Sequence, residues 1–136
     1  MSSVRLRIPA KAEYVFFSRL VLTGLSRATV IDEETLSDLK VAVTEACARS
    51  VRSAPDEGGD VSVRYDLDGD VLTVEVESAG SAFSPELLEL EPHPLDEDAM
   101  GIALVRALVD DLELGAAPDG RGSRLAFSKN LSQRSG

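Results

Sequence analysis

Hydrophobic and polar residues alternate over several short parts of the chain. A period of two predicts strands with one buried face. The first predicted strand contains Val4, Leu6 and Ile8. A hairpin is predicted around the turn Asp68-Gly69-Asp70, and residues 112–114 and 123–128 are predicted to form a closing pair of strands.

Three other stretches repeat their apolar residues every three or four positions, the period of a helix face. The first predicted helix ends near residues 24–26, and the third extends from Gly101 to Leu112. The second begins at an Asp32 cap and continues to about Arg52, before residues 55–59. Pro55, Gly58 and Gly59 are expected to stop it, and the core stripe expected on the first helix comprises Val15, Phe16, Leu20, Leu22 and Leu25.

The segment between the hairpin and the third helix is rich in prolines and acids. Ser84-Pro85-Glu86 predicts the start of a short helix through Leu90. Residues 89–98, here called the acidic loop, are expected to be irregular because they carry two prolines and five acids. The order of elements predicts an α+β sandwich, with an antiparallel or mixed sheet and helices on one face. One domain is expected over residues 1–131, with a frayed tail at 132–136.

Length, hydrophobic content and net charge limit the classes of protein and of binding partner that fit this chain. A chain of 136 residues and 14.5 kDa with 43% hydrophobic residues predicts one globular domain. Without a long apolar run or a leader-like N-terminus, we expect a soluble cytoplasmic protein that does not enter membranes. Its net charge of -10 opposes direct nucleic-acid binding and suits a basic protein partner.

Cysteine and histidine offer little chemistry. Cys47 is the single cysteine, lies on the predicted core side of its helix, and is expected to be an inert small hydrophobe. His93, the single histidine, falls in the acidic loop and is expected to be solvated. We therefore expect no zinc site and no metal ligands from these residues.

The predicted second helix presents Glu45 on a face away from its apolar stripe. A carboxylate in an otherwise apolar stretch is a candidate general base. The alternative is that Glu45 forms an ordinary i,i+4 ion pair with Arg49 on the surface.

The run Thr44-Glu45-Ala46-Cys47-Ala48-Arg49 resembles a motif of the bacterial anti-sigma factor serine kinases. These are small members of the histidine-kinase-like, or Bergerat, ATPase superfamily. The resemblance implies that Glu45 is the catalytic base and that Arg49 replaces an Asn that helps to hold magnesium. It extends over about residues 5–131 and includes matches at 101–110 and 120–129.

The same resemblance implies further nucleotide contacts, and this chain departs from several of them. Ser78 stands where the family has an adenine-binding Asp, and Ala82 stands where it has the second of two glycines. The resemblance implies ATP contacts, with or without Mg²⁺, at Arg49, Ser78, Gly80, Gly101, Gly122 and Ser123.

Two functions are left open by the resemblance. The first is an anti-sigma factor that sequesters a sigma factor, is released by an anti-anti-sigma partner, and phosphorylates that partner on Ser or Thr with ATP. The second is a partner-switching binding module of the same fold that no longer uses ATP. Tyr14, Phe17 and Arg19 are the expected partner contacts, and the resemblance also implies a homodimer. A sensor histidine kinase domain is less favoured, because the lone His93 lies in the acidic loop.

Overall fold

The computed structural model describes residues 2–54 and 59–132. Within these ranges the chain forms five strands and three α-helices, with short 3-10 helices at Ala12–Tyr14 and Pro85–Glu89. In chain order the main elements are β1 (Ser2–Pro9), α1 (Phe16–Ala28), α2 (Glu33–Arg52), β2 (Asp60–Asp68), β3 (Val71–Ser78), α3 (Glu97–Leu108), β4 (Asp111–Ala116) and β5 (Ser123–Asn130).

The five strands form one sheet in the order β1-β2-β3-β5-β4. Every neighbouring pair is antiparallel. The register sets Val63 opposite Val76 and Val76 opposite Leu125, so apolar residues align across the central strands. The predicted sheet and its hairpin are confirmed, and the described sheet contains antiparallel pairs throughout.

The core lies between one face of this sheet and the helices. Helix α2 contacts α1, α3 and the central strands. Alternation along the strands buries one set of side chains and leaves charged residues such as Arg64 and Glu75 on the other face. The large, fully buried side chains include Leu22, Leu39, Val43, Val63, Tyr65, Leu72, Val74, Val76, Phe83, Leu125 and Phe127.

The core contains two titratable side chains, Tyr65 and Cys47. The Tyr65 hydroxyl donates a 2.8 Å hydrogen bond to the Ser18 carbonyl, which joins β2 to α1. Burial raises the pKa of the Cys47 thiol to about 12, and burial also raises the pKa of Tyr65. Cys47 is thus a neutral core residue, in agreement with its predicted inert role.

The start of α3 differs from its prediction. The helix begins at Glu97, four residues before Gly101, and it ends at Leu108 instead of Leu112. The Asp96 side chain accepts from the backbone N–H groups of Asp98 and Ala99, both at 3.1 Å. Since acidic groups in a first turn are favoured by the helix dipole, the end of the acidic loop is helical.

Helix α1 also differs from its prediction, in its end and in its buried face. It continues to Ala28, beyond the predicted end at residues 24–26. Val15, Leu22 and Leu25 are buried, but Phe16 and Leu20 are 51% and 50% exposed. Assigning Phe16 and Leu20 to the core was wrong, because they lie on the side of the helix that faces away from the sheet.

Helix α2 was predicted correctly at both ends. Asp32 caps it by accepting from the Thr35 N–H at 2.7 Å, and its last residue is Arg52. Pro55 and Gly58 lie outside the described residues, as does most of the predicted tail, residues 133–136. In the described ranges, the helices are too short or too polar to cross a membrane.

Candidate functional site

Glu45 and Gly101 lie next to each other where α2 packs against α3. A side chain at position 101 would place its Cβ 3.1 Å from Oε2 of Glu45. Glycine therefore allows α3 to approach this carboxylate closely. The structure brings these two predicted site residues together.

A groove of about 770 Å³ opens beside this contact, between α2, α3 and the end of the acidic loop. We call it the α2–α3 groove. Its lining combines the Glu45 carboxylate with apolar side chains from Ala48, Leu95, Met100 and Leu104. A half-buried carboxylate in such surroundings can accept a proton or bind a cationic group.

Arg49 pairs with groups other than Glu45 and connects three parts of the fold. Its Nε donates to the carbonyl of Ala82, and its terminal nitrogen pairs with the Asp98 carboxylate. Only 12% of the Arg49 side chain is exposed. The proposed surface pair between Glu45 and Arg49 is therefore wrong, because the guanidinium is held by the Ala82 segment and the first turn of α3.

Arg52, one turn further along α2, supports the same connection. Its terminal nitrogens lie 3.3 Å from Glu97 and 3.7 Å from Asp98. Three parts of the site were not predicted from the sequence: Arg52, Asp98 and the Ala82 carbonyl. Charge was the one available signal. Two arginines lie three residues apart on a helix, and two adjacent acids elsewhere in the chain could pair with them.

Ser78 and Ser123 use their hydroxyl groups to hold the segment 78–83. The Ser123 hydroxyl donates to the Gly80 carbonyl at 2.8 Å and accepts from the Phe83 N–H at 3.0 Å. The Ser78 hydroxyl accepts from the Gly80 N–H at 3.3 Å. Both serines are buried. These predicted nucleotide contacts are thus close to one another, and their hydroxyls bind backbone groups of this segment.

Gly80 and Gly122 are required by close backbone packing. A Cβ at Gly80 would lie 2.5 Å from the Ser53 carbonyl oxygen, and one at Gly122 would lie 2.0 Å from the Ser78 carbonyl oxygen. Gly122 also has a φ of +87°, in the region that favours glycine. Their positions are explained by packing of the chain against itself.

A separate apolar surface lies on α1 and the turn before it. The rings of Tyr14 and Phe17 stack with centroids 6.2 Å apart, and Phe16 lies 4.6 Å from Phe17. Arg19 is also exposed, and it lines a depression with Lys40, Val41 and Glu45 of α2. We call the side chains of Tyr14, Phe16, Phe17, Arg19 and Leu20 the α1 surface. Tyr14 and Phe17, two of the three predicted partner residues, lie together on it.

Comparison with known proteins places these features in a family. The model of the histidine kinase-like ATPase domain matches residues 8–129. The serine-protein kinase RsbW of Listeria innocua is 36% identical, in an alignment that covers 82% of this chain and 78% of that protein. The chain belongs to the RsbW family of histidine kinase-like ATPase domains. This confirms the resemblance to the anti-sigma factor serine kinases.

Other relatives agree with this assignment. The RsbW serine-protein kinase of Oceanobacillus iheyensis is 30% identical over 82% of this chain and 77% of its own length. The crystal structure of the RsbU and RsbW domains of a Mycobacterium tuberculosis protein has a TM-score of 0.73 at 18% identity. That match covers 98% of this chain and 34% of the larger one, and it confirms the predicted fold.

The residues at the site do not fit a magnesium ion. In the described ranges there is no group of three or more His, Cys, Asp or Glu residues placed to hold a metal. The Asp98 carboxylate is already paired with Arg49, and a guanidinium at that position repels a divalent cation. The position at which the resembling motif has a magnesium-binding Asn is thus occupied by a guanidinium that is already paired.

Proposed function

We propose that this protein is an anti-sigma factor that sequesters a sigma factor and is released by an anti-anti-sigma protein. Its membership of the RsbW family carries the proposal. The exposed aromatic side chains of the α1 surface support it, because aromatic and arginine residues commonly supply much of the energy of protein interfaces.

We further propose that this chain retains partner binding and lacks magnesium-dependent phosphoryl transfer. The contact of Arg49 with Asp98 and Ala82 supports this part of the proposal. The hydroxyl groups of Ser78 and Ser123 support it as well, since both are engaged with the protein backbone. A homodimer stays a prediction from the resemblance.

The sigma-binding proposal is tested with purified sigma factors from the same organism, immobilised one at a time for biolayer interferometry. At least one is expected to bind, and a Phe17→Ala, Arg19→Ala double variant should weaken that binding about tenfold or more. Val30→Ala is the matched control, since Val30 is 90% exposed and outside the α1 surface. Absence of binding to every sigma factor would contradict the proposal, and an unchanged double variant would exclude the α1 surface.

Phosphorylation of the anti-anti-sigma protein is the second candidate, favoured by the close approach of Glu45 and Gly101. In that case Glu45 accepts the proton of the attacking serine hydroxyl. The test is transfer of radiolabelled phosphate from ATP to the purified antagonist, with Glu45→Gln as the comparison. Transfer that disappears in Glu45→Gln would favour the kinase, and no transfer by the unmodified protein would favour the binding module.

A further inference from the structure

The α2–α3 groove has chemistry that differs from that of a triphosphate site. Its carboxylates, Glu45 and Glu97, repel an anionic ligand. The cationic side chain in its lining, Arg52, is directed to Glu97 and Asp98. The groove is therefore better suited to a ligand with apolar surface and positive charge.

Apolar side chains in the groove are exposed together. Leu95 is 90% exposed, and Met100 and Leu104 are also large exposed hydrophobic residues. All three line the same groove, with Ala48 and Ala103 between them. Single exposed hydrophobic residues are ordinary, but a contiguous set around a concave surface is typical of an interaction site.

Glu45 supplies an acceptor that has no ionic partner among the described residues. Across residues 2–54 and 59–132, no Lys, Arg or His side chain lies within ion-pair distance of its carboxylate. The nearest arginine in sequence, Arg49, is paired with Asp98. Arg19 and Lys40 line a depression on the other side of Glu45 without pairing with it, so on the groove side a ligand that brings its own cation can pair with this half-buried carboxylate.

We propose that the α2–α3 groove binds an amphipathic helical segment of a protein partner, with a Lys or Arg set among apolar residues. The apolar residues of the segment pack on Leu95, Met100 and Leu104, and its cation pairs with Glu45. The net charge of -10 on this protein favours the approach of such a basic segment. The proposal rests on the proposed function only in that the partner is a protein. Its groove adjoins the α1 surface at Glu45, which also lines a depression with Arg19, and it contains none of the aromatic residues of the α1 surface.

The test uses three 16-residue probe peptides and ¹H–¹⁵N NMR spectra of the full chain. The first, the Leu/Lys peptide, is helical, with Lys set among the Leu residues of one face. In the second, every Lys is replaced by Glu, and in the third every Leu is replaced by Ser. Only the Leu/Lys peptide is expected to bind with saturable shifts at the amides of Ala48, Leu95, Met100 and Leu104.

Variants of the protein separate this site from general charge attraction. Glu45→Gln is expected to weaken binding of the Leu/Lys peptide about tenfold. Leu104→Ser should also weaken it, and the exposure of Leu104 makes this change compatible with folding. Glu113→Gln, which removes one exposed charge from β4, is the matched control and should leave binding unchanged.

Several results would overturn the proposal. They are shifts confined to the α1 surface or the open sheet face, equal binding of the peptide with Glu in place of Lys or of the peptide with Ser in place of Leu, and equal losses in Glu45→Gln and Glu113→Gln. Absence of binding by the Leu/Lys peptide would overturn it as well. Each of these results leaves the sigma-binding test unaffected, because that test depends on Phe17 and Arg19.

Discussion

Arg49 on α2 pairs with Asp98 in the first turn of α3, with 12% of the arginine side chain and 50% of the aspartate side chain exposed. The same guanidinium donates to the Ala82 carbonyl. One side chain thus connects the middle of the fold, the segment after β3 and the start of α3. In the anti-sigma factor serine kinases that the motif resembles, the residue at the position of Arg49 is an Asn that helps to hold magnesium.

Asp98→Asn is expected to destabilise the protein by about 1 kcal/mol, since it leaves the mostly buried Arg49 without its charged partner. Hydrogen exchange at the amides of residues 98–101 should become faster. Urea unfolding followed by circular dichroism gives the free energy, and mass spectrometry gives the exchange rates.

Glu97→Gln is the matched control in the same turn. Glu97 is 75% exposed and lies 3.3 Å from Arg52, so its loss should cost only about 0.3 kcal/mol. Equal effects of the two substitutions would show that Asp98 has no special role.

The segment 78–83 should be sensitive to a single methyl group at Gly122. Gly122→Ala is expected to cost about 3 kcal/mol or more, because its Cβ would collide with the Ser78 carbonyl oxygen at 2.0 Å. Gly120→Ala has a similar φ of +75° but open space around it, and should cost about 1 kcal/mol. Thermal and urea unfolding of the two variants measure the difference, and comparable losses would argue against close packing at Gly122.

The stability of the protein should fall at alkaline pH through Cys47. Burial raises the pKa of its thiol from the ordinary 9.0 to about 12. The unfolded chain loses this proton above pH 9 while the folded chain keeps it, so the stabilisation present below pH 9 is lost progressively towards pH 12.

At pH 10 the Cys47 contribution to this loss is expected to be about 1 kcal/mol. The free energy of unfolding of the unmodified protein and of Cys47→Ala, measured by urea titration between pH 7 and pH 10, gives the two slopes. The variant should show the shallower decline. Identical slopes would mean that Cys47 is not buried as described.

Much of the fold was predictable because the capping and turn residues agree with the pattern of apolar positions in the same segments. The alternation of Val61, Val63 and Tyr65 is the pattern of a half-buried strand, and Asp32 is a strong N-cap before a periodic apolar face. The start of α3 was missed because Gly101 weakens a helix and the acids before it suggested a loop. The structure shows that Asp96 caps the helix and that Arg49 and Arg52 neutralise its first turn.

The candidate site was predictable only in part. The neighbourhood of Glu45 and Gly101 followed from the resemblance, and so did the closeness of Ser78 to Ser123. The partner of Arg49 did not, because Asp98 is far away in the sequence and no periodic pattern links the two residues. The exposure of Phe16 and Leu20 was not predicted either. The apolar stripe of a helix does not show how much of that stripe the sheet covers.

The most direct measurement is calorimetric titration of the unmodified protein and of Arg49→Asn with ATP, each with and without magnesium. If Arg49 occupies the place of the metal, magnesium should change the ATP affinity of the unmodified protein by less than about threefold, and it should strengthen ATP binding only in Arg49→Asn. A strengthening of about tenfold or more by magnesium in the unmodified protein would show that Arg49 does not take the place of the metal.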